Sequence, residues 1–266
     1  MTYVYPVVSR RAGGVSIGIN LNPNNACNFR CIYCQVPQLW RGPAPPLDLD
    51  QLEAELRRML ADILDGDFMR RRVPEPSRQL KDIAFSGNGE PTASRQFALA
   101  VNRVGSVLRE RDLVGSLDVV LITNGSFMHR AEVQAGLEEL SRLEGQIWFK
   151  IDAVTDEGRR RINDTTVTIA RARQHLAEAS RRCRTRLQTC LFTLDGVGPS
   201  DAERAAFVQF VVEARRDGIA IESVLLYGPE RPSLQPEAPR IGKLSPDAMQ
   251  AFAAALGRAG VAATVH

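Results

Sequence analysis

Three cysteines fall within one short run, Cys27-Asn28-Phe29-Arg30-Cys31-Ile32-Tyr33-Cys34, placed after a short apolar stretch and an Asn-rich loop. Their thiolates can reach one small inorganic object. A structural zinc site normally uses four protein ligands, and a four-iron cluster held wholly by protein uses four cysteines. Three ligands leave one metal corner open. An open corner is a place for a substrate or cofactor, which turns the reading from a structural staple toward catalysis. Three other readings stay open at this point: cysteines buried as small hydrophobes, a zinc-stabilised RNA-binding module with a distant fourth ligand, and a non-catalytic iron-sulfur protein for electron transfer or sensing.

Two further turns carry polar groups directly after apolar runs. Ser86-Gly87-Asn88-Gly89-Glu90-Pro91-Thr92 is Gly-rich with one carboxylate. Glycines let the backbone approach a ligand closely, and the carboxylate suits an ammonium group; a plain turn has the same composition. Thr123-Asn124-Gly125-Ser126 offers donors to a ligand, or a helix cap. In the run Ile147 to Asp152, alternation separates Ile147, Phe149 and Ile151 from Trp148, Lys150 and Asp152. The first set suits covering helices, so the second should face the interior. Of 34 basic side chains only Lys81, Lys150 and Lys243 are lysines. A lysine at an interior strand position of an Arg-rich chain suggests that a slim ammonium is wanted there. A structural Lys150-Asp152 pair is the alternative. Cys190 reads as strand packing, and His129, His175 and His266 read as surface residues.

These turns need a scaffold that gathers them. Apolar strand patterns run over Val15 to Leu21, Asp82 to Phe85, Asp118 to Thr123, Ile147 to Asp152, Leu187 to Leu194 and Ile221 to Tyr227. Each is followed by a helical pattern, such as Leu52, Leu56, Met59, Leu60 and Ile63. Six strand-helix units in alternation imply parallel strands with crossover helices. The candidate residues all sit at or beyond C-terminal strand ends, where open sheets and barrels alike build sites. The 266 residues show no linker-like break, so one domain over 1–266 is expected. A net charge of +3 does not announce nucleic acid, and the runs Arg70 to Arg72 and Arg159 to Arg161 read first as solvated faces, with RNA contact as the second reading. Five cysteines, three in one run, exclude a disulfide framework and point to a reducing compartment. With no signal peptide and no apolar span of membrane length, the cytoplasm is expected and membrane partners are not.

The C-x3-C-x2-C spacing with an aromatic before the third cysteine resembles the radical S-adenosylmethionine (SAM) superfamily. The resemblance implies a partial (β/α)6 TIM-like barrel, α/β with mostly parallel strands. It implies a [4Fe-4S] cluster on Cys27, Cys31 and Cys34, whose remaining iron is chelated by SAM. By the same resemblance Gly87, Asn88, Gly89 and Glu90 stand where the family's Gly-Gly-Glu-Pro segment meets the methionine amino group, and Tyr33 stands beside the adenine. Asn124 and Ser126 would contact the cofactor; Lys150 would meet its carboxylate, and Asp152 a ribose hydroxyl or the substrate. The implied reaction is reductive cleavage of SAM to a 5'-deoxyadenosyl radical that abstracts hydrogen from a substrate, with flavodoxin or ferredoxin as one-electron donor. The substrate, whether RNA, peptide or small molecule, is not indicated. The segments Trp148 to Thr165 and Arg231-Pro232 resemble the branch of iron-sulfur oxidoreductases related to wyosine-base tRNA-modifying enzymes. Those enzymes carry further cysteines ahead of this motif, and none precedes Cys27, so the wyosine reaction itself is not expected. The Pro-rich segments 36–47 and 228–243 should rim the open side.

Overall fold

Strand pairing and helix covering follow the apolar pattern closely. A computed structural model describes residues 1–9 and 13–266. In chain order the elements are β1 (Val4–Ser9), β2 (Gly14–Ile19), the two-residue strands β3 (Ala26–Cys27) and β4 (Trp40–Arg41), α1 (Leu49–Leu64), α2 (Phe68–Arg72), β5 (Leu80–Phe85), α3 (Phe97–Glu110), β6 (Asp118–Thr123) and α4 (Ala131–Arg142). There follow β7 (Gln146–Lys150), α5 (Asp156–Asn163), α6 (Ile169–Ser180), β8 (Arg184–Cys190), β9 (Phe192–Leu194), α7 (Asp201–Arg216), β10 (Val224–Tyr227), β11 (Ile241–Lys243), α8 (Pro246–Arg258) and β12 (Ala263–Val265).

Eight strands form one curled sheet in the order β1-β2-β5-β6-β7-β8-β10-β12. All neighbours are parallel except β1 and β2. The architecture is an α/β half-barrel, and its six central strands are the six expected from sequence. The two edge strands are additions. Pro6 argues against a central strand and is tolerated only because β1 lies at an edge; β12 is three residues long. The run Leu187 to Leu194 also differs from expectation, because it breaks after Cys190. Leu191 N–H still donates to Tyr227 O at 2.8 Å, and then β9 turns away to pair antiparallel with β11.

The core lies between the sheet's outer face and the helices. Ile83, Phe85, Val119, Leu121, Ile147 and Phe149 are fully buried there, with Leu52 and Leu56 of α1 and Val101 and Leu108 of α3 in the same core. Each such side chain contributes roughly 1.5–3 kcal/mol on burial. Helix starts are fixed locally: Asp48 caps α1 by accepting from Gln51 N–H, and Ser200 with Glu203 forms a capping box on α7. Because the crossovers return every central strand in one direction, their C-terminal ends share one rim. Among the described residues no helix is long and apolar enough to cross a membrane. The expectation of surface histidines fails for His175, which is 3% exposed and stacks on the exposed His129 with ring centroids 5.1 Å apart.

The N-terminal edge is tied down by Glu55 of α1, which accepts N–H bonds from Thr2, Tyr3 and Val4 at 2.8, 2.8 and 3.0 Å. Burial alone would raise this carboxyl, but the three amides outweigh it and hold it below the usual range. The ionised form is the acceptor, so the stabilisation is complete above the ordinary glutamate range and fades as pH falls through the depressed folded value. Glu55→Ala should cost about 1–3 kcal/mol at neutral pH, with the deficit shrinking in acid. Urea unfolding at the two pH values measures this, and an unchanged midpoint at neutral pH would refute the clamp.

Candidate active site

Between β2 and α1 the chain has little regular structure, so other elements must hold the cysteine loop. Neutral amides do much of this. Asn20 Oδ1 accepts from the backbone N–H groups of Asn22 and Asn88 at 3.0 and 3.1 Å. Asn88 Nδ2 donates to Asn25 Oδ1 at 2.7 Å, and Asn124 Nδ2 to Asn28 Oδ1 at 2.9 Å. The Gly87–Glu90 turn after β5 and the Asn124 turn after β6 are thereby joined to the loop. From the other side, residues 231–237 latch onto it: Ser233 Oγ donates to Ile32 O at 2.7 Å, Leu234 N–H to Cys34 O at 2.9 Å, and Arg30 forms a two-pronged pair with Glu237 at 2.9 and 3.0 Å. The Pro-rich segment expected as a rim is thus also part of the loop's support.

Cys27, Cys31 and Cys34 are free, half-buried thiols. Desolvation pushes Cys31 up to about 11 and Cys27 to about 12, and raises Cys34 as well. As thiols they are neutral, and ligating a metal would require their protons to leave. Among the described residues no three His, Cys, Asp or Glu side chains are gathered tightly enough for a single metal ion.

The Gly-rich turn is pressed against this loop. A Cβ on Gly87, whose φ is +146°, would lie 2.5 Å from Asn20 Oδ1, and one on Gly89 would lie 2.1 Å from Ala26 O. Glu90 departs from the simple picture of a free ammonium partner. It is fully buried and braces the ends of two strands: Oε1 accepts from Thr92 N–H at 3.1 Å, from Thr92 Oγ1, and from Thr123 Oγ1 at 2.6 Å, while Oε2 accepts from Asn124 N–H at 2.6 Å. Oε2 alone keeps acceptor capacity. Beside it, Ser126 N–H donates to Asn124 Oδ1 at 3.0 Å, and the buried Ser126 Oγ has no partner among the described residues.

Lys150 and Asp152 face the interior, as alternation required, with side chains 17% and 1% exposed. Asp152 gathers three donors: Tyr33 Oη, Asn163 Nδ2 at 2.7 Å and Cys190 N–H at 2.9 Å. Lys150 Nζ donates to Tyr227 Oη at 2.6 Å, lies 3.9 Å from Asp152 Oδ1, and stands 5.1 Å from the ring centroids of both Tyr33 and Tyr227. Burial works to lower the Lys150 pKa, but Asp152, with Tyr227, Cys190 and Cys31, outweighs it and drives the value up. The ammonium stays charged. Tyr33 also packs on Phe192 with centroids 5.6 Å apart, in a small inner cluster with Ile32 and Cys190.

Two residues of the site escaped sequence reasoning. Asn163 donates to Cys31 Sγ at 3.2 Å. Arg159, expected on a solvated face, is instead the largest fully buried side chain among the described residues, while Arg160 and Arg161 are exposed. The α5 pattern Arg159, Ile162, Asn163 places them on one inward stripe, a signal masked by the run of arginines. Beside Asp152 a cavity opens between α5, β9 and α7, lined in part by Ile162, Phe192, Leu194 and Phe207, with Arg161 and Glu203 at its polar side.

A curled parallel sheet with three cysteines looped from its first central strand defines a class, and the comparisons agree. The Radical SAM superfamily profile matches residues 21–211, and the chain belongs to that superfamily. It is 28% identical over 161 residues to the UPF0026 protein slr1464 of Synechocystis, covering 60% of this chain and 52% of that protein. The chain spans between 17% and 52% of the length of the curated relatives it matches. Among solved structures, a radical SAM methyltransferase from Sphaerobacter thermophilus superposes with a TM-score of 0.61 at 20% identity, covering 99% of this chain and 68% of that one. SuiB from Streptococcus suis, bound to S-adenosylmethionine, superposes with a TM-score of 0.57 at 11% identity, covering 96% and 47%.

The contact of Gly89 with the cysteine loop gives a direct test. Gly89→Ala should force the turn and loop apart, costing roughly 1–3 kcal/mol and lowering the iron retained after anaerobic reconstitution. Iron content and urea unfolding report on it together; a variant with unchanged stability and full iron would show that the two segments need not touch.

Proposed function

We propose that Cys27, Cys31 and Cys34 hold a [4Fe-4S] cluster whose open iron takes SAM, and that residues 1–266 act as one domain in this role. The observation that carries the reading is the three-cysteine loop, one ligand short of a closed site and framed on several sides by the ends of parallel strands. The buried, unpartnered Ser126 hydroxyl and the free acceptor capacity of Glu90 Oε2 fit a polar cofactor beside that loop. In this reading the Gly87–Glu90 turn receives the amino group of SAM, with Glu90 Oε2 as acceptor and Asn88 fixing the turn. Asn124 and Ser126 contact the cofactor, and Tyr33 forms part of the inner wall beside the adenosyl group. Lys150, kept charged by its neighbours, binds the SAM carboxylate; Asp152 orients Lys150 and Tyr33 and faces the ribose or substrate.

When bound, cluster and SAM together supply reductive cleavage of the sulfonium and a 5'-deoxyadenosyl radical for hydrogen abstraction, as the superfamily does. The chain's own contribution is to hold the pair, to keep the inner wall dry with Ile32, Tyr33, Cys190 and Phe192, and to leave an apolar cavity beside Asp152 for a reacting group. The electron comes from flavodoxin, ferredoxin or a similar donor in a reducing cytoplasm. RNA, peptide and small molecule are the candidate substrate classes, and the branch is that of iron-sulfur oxidoreductases related to wyosine-base tRNA-modifying enzymes.

Reconstitution with iron and sulfide under anaerobiosis, followed by dithionite and SAM, should give 5'-deoxyadenosine, and Cys31→Ala should abolish it. A full four-iron cluster that binds no SAM would instead identify an electron-transfer or sensing protein; zinc with no sulfide would identify the RNA-binding module.

A further inference from the structure

We propose that Arg159 and Asn163 are positioning residues for the metal centre: from one face of α5 they hold Cys31 and offset the negative charge that a cluster on Cys27, Cys31 and Cys34 gains when reduced. The inference rests on the function proposed above and concerns how easily the bound cluster accepts its electron.

The end of α5 is joined to the cysteine loop at both backbone and side chain. Arg30 N–H donates to Asn163 O at 3.1 Å and Ile32 N–H to Ile162 O at 2.9 Å. Asn163 Nδ2 donates to Cys31 Sγ at 3.2 Å and to Asp152 Oδ2 at 2.7 Å, so one amide bridges a metal-ligand sulfur and the inner carboxylate. Asp164, in the left-handed conformation at φ 46°, ends the helix here and is pinned by Arg30 at 3.0 Å and Arg41 at 2.9 Å. This geometry also has a cost. The helix presents its carbonyl end, the negative end of its dipole, to the loop, which opposes adding an electron there.

Arg159 sits one turn earlier on the same face. It is 1% exposed, its Nε donates to Val167 O at 2.9 Å, its guanidinium carbon lies 6.0 Å from the Phe29 ring centroid, and Nη2 has no partner among the described residues. A buried guanidinium with an idle donor is costly unless negative charge compensates it. Asp152, Asp156 and Cys31 are within electrostatic range. Yet Asp152 already faces the Lys150 ammonium at 3.9 Å, and Asp156 Oδ1 accepts from Ile169 N–H at 2.6 Å. A cluster held by three thiolates would supply that negative charge. Reduction moves one electron from the external donor to the bound cluster, with no proton required, so the local negative charge rises by one. A fixed cation and an N–H donor aimed at a ligand sulfur both favour that reduced state.

The test is a redox titration of the reconstituted full chain, followed by electron paramagnetic resonance. Arg159→Met should lower the ratio of reduced to oxidised cluster about tenfold at a fixed solution potential, a midpoint about 59 mV more negative. Asn163→Leu should shift it in the same direction, and Arg159→Lys, which keeps the charge, should stay within about twofold of the unchanged protein. A purely structural role would lower thermal stability and leave the midpoint alone, so an Arg159→Met midpoint equal to that of the unchanged protein overturns the inference. If Arg159→Met retains no cluster, Asn163→Leu decides by the same criterion. Failure of the unchanged chain to take up a four-iron cluster sinks the proposed function itself, and is visible before any variant is made.

Discussion

The hydrogen bonds that shape the cysteine loop are the constraint on which the site depends. From Asn20 to Leu47 the chain carries only two two-residue strands of its own. Its form comes from outside, through Asn88, Asn124 and Asn163 from the ends of β5, β6 and α5, and through Ser233 and Glu237 from the segment after β10. The asparagine amides bind both backbone and side chains without adding charge. Three cysteines on a flexible segment would lose far more conformational freedom on ordering. Here most of that cost is met when the sheet folds.

Inside this frame the charges are few, buried and coupled. Lys150, Asp152 and Arg159 lie under or beside the cysteine loop; Tyr33 donates to Asp152 and faces the Lys150 ammonium, and Tyr227 accepts from Lys150. Desolvation raises the phenol pKa values of both Tyr33 and Tyr227, so they remain hydrogen-bond donors. Low effective dielectric makes every one of these contacts stronger and every unpaired one costlier. That is why the arrangement is concentrated at one rim, while the sheet's other face is filled by Ile147, Phe149 and the apolar stripes of the helices.

The sequence was legible wherever a local pattern had one physical meaning. Cysteine spacing marked the loop, apolar alternation found all six central strands, and period two placed Lys150 and Asp152 inward while Ile147, Phe149 and Ile151 met the helices. It was not legible where tertiary contact overrides local character. Pro6 and the short β12 hid the edge strands. Arg159 looks like its exposed neighbours Arg160 and Arg161 until helix geometry turns it inward, and His175 lies on the buried stripe of α6 with Ala172, Leu176 and Ala179. Glu90 has the residue type for a ligand contact, but only the fold reveals that it first holds Thr92, Thr123 and Asn124 together.

The central claim is that three cysteines leave one iron open for SAM. Electron paramagnetic resonance of the reduced, reconstituted protein, with SAM isotopically labelled in its amino and carboxylate groups, tests this most directly. The account predicts that SAM changes the cluster signal and that the labels show magnetic coupling to it. A four-iron cluster whose signal is indifferent to SAM, with no coupling to either label, would contradict it.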